Sequence, residues 1–143
     1  MNLTPKKQNG FTLIEIVIVL AIAALIMVIV FLAVAGAQRS QRDNTNKAAA
    51  GQALAQAENF LANSGGQFPS TAMPSSYLSG IKTTTGNPTS VAPGGSATAT
   101  ASGQVVVITK STCSGTAAAA GSATQSAVVW FSEGANSQQC INN

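Results

Sequence analysis

The stretch Lys6-Lys7-Gln8-Asn9-Gly10-Phe11-Thr12-Leu13-Ile14-Glu15, followed by an apolar run from Ile16 to Ala37, decides how this chain is organised. The run holds 22 consecutive positions with no proline and no charged or strongly polar side chain. As a helix it covers about 33 Å, enough for the hydrocarbon core of a bilayer. Two residues stand out against it. Gly10 separates a short basic head from the greasy segment, and Glu15 places a carboxylate where charge is unwelcome. Three readings compete: a secretory signal peptide cut at the small-x-small site Ala33-Val34-Ala35, a plain single-span anchor, or a segment that first spans a membrane and later packs against copies of itself. Against the first, the run exceeds the roughly 7–15 apolar residues of a signal peptide, and Glu15 interrupts its front. Flanking charge leaves orientation open, with Lys6 and Lys7 on one side and Arg39, Arg42 and Lys47 on the other.

Working outward, the helix can continue from Gln38 to Asn63. Only Gly51 interrupts it, there is no proline, and alanine is frequent. Ala50, Leu54, Ala57 and Leu61, joined by Ala53 and Phe60, make one apolar face, with Gln52, Gln56, Glu58 and Asn59 mostly opposite. Asn63-Ser64-Gly65-Gly66 supplies a stop with a glycine for the left-handed cap. The pattern predicts one helix from about residue 12 to 63. Residues 64–103, with Pro69, Pro74, Pro88 and Pro93, read as loop, with room for a short strand at Tyr77–Thr85. Val105-Val106-Val107-Ile108 and Val128-Val129-Trp130-Phe131 are strand signals bounded by Gly, Ser and Thr. Between them, Ser111–Ser126 with its Ala117–Ala120 run reads as a connecting loop or a poor helix. The expected class is α+β: a long N-terminal helix packed by its amphipathic half on a small antiparallel β-sheet. The expected divisions are a leader at 1–10, a membrane-spanning helix at 11–38 and a head at 39–143. The head comprises an amphipathic helix half (39–63), a loop (64–103) and a sheet region (104–143).

The totals exclude several classes. The 143 residues carry 7 Lys or Arg, 4 Asp or Glu and no His, for a net charge of +3. That is no basic stripe for nucleic acid. One aspartate, Asp43, and no nucleophile–base pair leave no enzyme to expect. Without histidine or a second close thiol pair, no metal site or cofactor is expected either. Past Gln38 large apolar residues are few, so the head needs help from the helix or a cross-link. Cys113 and Cys140 are the two cysteines, and in a membrane-crossing chain such a pair suggests a disulfide outside the cytoplasm.

Gly10 followed by Phe11-Thr12-Leu13-Ile14-Glu15-Ile16-Val17-Ile18-Val19-Leu20 resembles the class III signal of type IV prepilins. The close likeness covers residues 6–20, and the order helix, loop, strands and C-terminal cysteine pair is similar over the whole chain. The resemblance implies cleavage after Gly10 by a prepilin peptidase on the cytoplasmic side and N-methylation of Phe11. It also implies that the apolar helix is retained as a filament-core helix. Glu15 is then the assembly carboxylate, meeting the terminal ammonium of a neighbouring subunit, so that a misregistered subunit leaves a buried charge unpaired. Cys113 and Cys140 resemble the family's C-terminal pair.

The partners so implied are further copies of the chain, the inner membrane before assembly, the prepilin peptidase, and the pilus assembly machinery. The implied destination is an extracellular pilus filament on the cell surface, serving adhesion, twitching motility or DNA uptake. A minor pilin or a pseudopilin of a type II secretion system shares the same motif. The latter often uses a metal-bound loop near the C-terminus, whereas residues 133–143 here hold a single acid, Glu133. A membrane-anchored binding module without a filament is the third possibility. One departure from the family pattern is the lack of any proline between residues 6 and 68, where many members carry a helix-breaking one.

Overall fold

The computed structural model describes residues 10–143. Lys6, Lys7 and the rest of the expected leader before Gly10 lie outside the described residues. Helix α1 spans Leu13–Asn63, as the pattern predicts. Its end is a Schellman motif. The Gly66 N–H donates to the Leu61 carbonyl at 3.0 Å and the Ser64 N–H to that of Phe60 at 3.0 Å. Gly65, at φ 76°, occupies the left-handed position that a side chain would strain.

The chain divides into two compact units between Ala37 and Gln38. In the first, the apolar side chains of α1 are exposed; Met27 is 77% and Phe31 80% accessible. That segment is long and apolar enough to cross a membrane.

The second unit, Gln38–Asn143, is built in three layers around a sheet. Its strands are β1 (Thr89–Val91), β2 (Val105–Thr109), β3 (Ser111–Ser114), β4 (Ala117–Ala120), β5 (Ser126–Ser132) and β6 (Ser137–Asn142). Four of them form a sheet in the order β1-β2-β5-β6, and β3 and β4 form a separate hairpin. The β2–β5 and β5–β6 pairs are antiparallel, with Val107 opposite Val128 and Val129 opposite Cys140. Val105, Val107, Val128 and Trp130 face α1, where they pack with Ala49, Ala50, Ala53, Ala57 and Phe60. Val106, Ile108, Ala127 and Val129 face the other way and are covered by Ala99, on the chain before β2, and Ala118 of β4. A strand buried on both faces reads as a continuous apolar run instead of an alternating one, which is why β2 is Val-Val-Val-Ile-Thr. The buried stripe of α1 is made of small residues, so the helix backbone approaches the sheet closely. Leu54 and Leu61, expected at its centre, are only partly buried at its flank.

Four details differ from the sequence expectation. Tyr77–Thr85 contains no strand: Ser75–Leu78 is a 3-10 turn following Pro74, and Gly80, at φ 91°, turns the chain again. The short strand lies further on at Thr89–Val91, and it pairs with β2 in parallel, so the sheet is mixed. Ala117–Ala120 is neither loop nor helix but half of a hairpin. Gly115, at φ 63°, opens its two-residue turn, and Ala118 is buried in the cluster that holds Ala127 and Val129 of β5, so tertiary packing overrides alanine's helical preference. Finally, Ser137–Asn142, where no strand signal is read above, forms the edge strand β6.

Candidate functional site

Two constellations sit on α1. At its start, Thr12 is the N-cap and Glu15 the third helical residue. The Thr12 N–H donates to Glu15 Oε2 at 2.8 Å, the Thr12 hydroxyl donates to the same oxygen at 2.9 Å, and the Glu15 N–H reaches Thr12 Oγ1 at 3.4 Å. This reciprocal arrangement is a capping box, and it also sets a negative charge at the positive end of the helix dipole. The Glu15 carboxylate therefore has local partners within a single chain. Ahead of it, Phe11 is 86% exposed. Gly10 is exposed too, and among the described residues a Cβ placed there would meet nothing within 4 Å. The fold itself makes no demand for glycine at that position.

The second constellation lies at the start of the helix's second half. The Asp43 carboxylate accepts the Glu133 N–H at 2.7 Å, the Gly134 N–H at 2.8 Å and the Ser132 hydroxyl at 3.0 Å. These donors belong to the end of β5 and the β5–β6 turn. A Cβ on Gly134 would stand 2.8 Å from Asp43 Oδ2, so glycine is what lets the turn close on the carboxylate. Beside it, Glu133 Oε1 accepts from the Ser102 hydroxyl and from Arg42 Nη1 at 3.4 Å. Burial would raise the Asp43 pKa, but the N–H groups of Gly134 and Glu133 and the Ser132 hydroxyl outweigh it and hold the pKa below its ordinary 3.8. A carboxylate whose folded pKa is depressed stabilises the fold above its unfolded pKa and loses that contribution as pH falls through the folded value. The melting temperature of the head is therefore expected to drop as pH is lowered below about 3.8. Asp43→Asn should lower the neutral-pH stability by about 1 kcal/mol, the carboxylate being partly solvated, and flatten that acid dependence. Thermal melts across the acid range check both.

Cys113 on β3 and Cys140 on β6 are bonded to each other, with their Cα atoms 5.8 Å apart. The bond fastens the hairpin layer to the edge of the sheet. Gly10, Phe11 and Glu15, the residues expected above to serve processing and assembly, belong to the first compact unit, and the disulfide belongs to the second. Among the described residues no group of three or more His, Cys, Asp or Glu is placed to hold a metal ion.

Sequence reasoning missed Thr12, Asp43 and Gly134. Thr-x-x-Glu ahead of an apolar run is a legible capping signal. Asp43, four residues from both Arg39 and Lys47, reads instead as one member of a surface ion pair, because its real partners lie some 90 residues away.

The family model of the prokaryotic N-terminal methylation motif matches residues 5–31. No curated protein and no solved structure matches the chain. A long apolar helix on a small mixed sheet, with the methylation motif at its start, defines the pilin-like class. The chain carries the class III signal of type IV pilins, and that motif indicates a prepilin of the type IV pilin-like family, pilin or pseudopilin. It also indicates a structural protein, and its apolar helix fits a membrane-anchored precursor.

Proposed function

We propose that the chain is a structural subunit of a type IV pilus, not an enzyme. Residues 1–10 are its leader, 11–38 its membrane-spanning and later filament-core helix, and 39–143 its head. A prepilin peptidase cuts after Gly10, Phe11 becomes the methylated terminus, and the assembly machinery draws the subunit from the inner membrane into an extracellular homopolymer. The observation that carries this is the motif at the start of a helix that runs without interruption from Leu13 to Asn63. A signal-peptidase cut at Ala33-Val34-Ala35 would fall inside that helix, whereas Gly10 precedes it and is exposed. Because the fold does not require glycine at position 10, recognition by a processing enzyme supplies the reason for it. In a filament, the carboxylate now held by Thr12 exchanges that partner for the ammonium of an adjacent copy.

The motif equally fits a minor pilin or a secretion pseudopilin. Shearing cells and sequencing the N-terminus of the chain in the released fibres separates the readings. Abundant fibres beginning with N-methyl-phenylalanine are the expected result. Trace amounts in fibres indicate a minor subunit, cell-bound protein without fibres indicates an anchor, and a start at Gly36 overturns the proposal.

A further inference from the structure

We propose that Arg39 and Arg42 bind the phosphates of anionic phospholipids at the membrane face from which the head emerges. The proposal rests on the membrane-spanning part of the function above. The two arginines lie two and five residues past Ala37, the end of the apolar run. At 1.5 Å per residue this is about 3–8 Å along the helix, the depth of one headgroup layer. They are three residues apart and therefore neighbours on one side of α1. Arg42 reaches Glu133 on the β5–β6 turn, so that side is the one facing the sheet.

What leaves these cations available is the way the nearby acids are used. Asp43 is four residues from both Arg39 and Lys47, the spacing of a helical ion pair, yet its oxygens are turned to Ser132, Glu133 and Gly134. Glu133 is shared between the Ser102 hydroxyl and Arg42. Among the described residues the Arg42–Glu133 contact, at 3.4 Å with the arginine side chain 54% exposed, is the single salt bridge, so Arg39 has no carboxylate partner. An exposed pair of this kind is weak and exchanges readily for a phosphate, which a guanidinium grips with two parallel N–H groups.

Placing cations on the translocated side also works against the positive-inside bias, and headgroup binding gives that placement a use.

The test uses the full chain in lipid nanodiscs containing phosphatidylcholine with or without phosphatidylglycerol, on a Lys6→Gln, Lys7→Gln background that removes the cations of the other flank. Spin-labelled lipids report the association of phosphatidylglycerol relative to phosphatidylcholine. A preference for phosphatidylglycerol is expected, falling by up to about fivefold for each of Arg39→Gln and Arg42→Gln and fading in high salt. Glu133→Gln, which frees Arg42, should strengthen it. Insertion with no preference, or a preference that survives loss of both arginines, overturns the proposal. A chain that does not enter phosphatidylcholine discs at all overturns the membrane-spanning reading itself, and this proposal with it.

Discussion

On the proposed pilus function, Glu15→Val is expected to leave the chain in the membrane fraction and to remove it from sheared fibres. The valine variant has lost a charge that membrane insertion disfavours, so retention is unharmed. What it lacks is the only carboxylate in α1 ahead of Asp43. The structure adds a sharper variant. Glu15→Gln keeps a side-chain oxygen that can accept from the Thr12 N–H, and glutamine serves a capping box as well as glutamate does. If Glu15 acts by its charge, glutamine behaves like valine and fibres disappear. If its task is only to cap the first turn, the glutamine variant makes normal fibres, and the pairing with a neighbour's ammonium is wrong. Thr12→Val gives the converse case. It removes the hydroxyl partner and leaves the carboxylate, so fibres should persist while the first turn frays. Comparing the sheared and membrane fractions of the three variants decides among these outcomes.

The second large effect is expected at the disulfide. Cys113 and Cys140 are separated by 27 residues. Closing a loop of that size contributes about 3–4 kcal/mol on the chain-entropy account. For a head of this size that corresponds to a melting temperature lowered by roughly 15–25 °C in the Cys113→Ala, Cys140→Ala double variant, which leaves no stray thiol. The reason lies in the packing. The sheet face turned away from α1 is covered by Ala99, on the chain before β2, and by a two-stranded hairpin whose own contribution is little more than Ala118 and the half-buried Cys113. So thin a cover has little apolar area of its own to hold it down. Far-ultraviolet circular dichroism of the solubilised chain follows the melt. An unchanged melting temperature would mean that the hairpin stays in place without its tether.

How much of this could be read from the sequence follows the range of the interactions. Helix α1 was legible from end to end, because a helix is fixed by contacts three or four residues apart and is terminated by local chemistry at Gly65. Strands β2 and β5 were legible because both bury β-branched residues on two faces. Strand β1 was not. It is three residues long, and its partner, β2, lies beyond a loop and pairs in parallel. Strand β6 carries Ser-Gln-Gln-Cys-Ile-Asn, an edge sequence with little apolar signal. Ala117–Ala120 looks helical until its pairing with β3 and the burial of Ala118 against the sheet are known. At the candidate site, the methylation motif that contains Gly10, Phe11 and Glu15 was legible from its spacing, whereas the grip on Asp43 comes from a turn at the far end of the chain.

The layering has an optical consequence. The chain has one tryptophan and one tyrosine. Trp130 is 6% exposed and points toward α1, and Tyr77 packs edge-on against Phe60 with its hydroxyl held by Asn63. Both ultraviolet chromophores therefore belong to the helix side of the sheet, and the hairpin side is dark. Intrinsic fluorescence will report the moment α1 peels from the sheet and will register nothing directly if the hairpin lifts first. A mismatch between fluorescence and circular dichroism melts would thus give the order in which the two layers part.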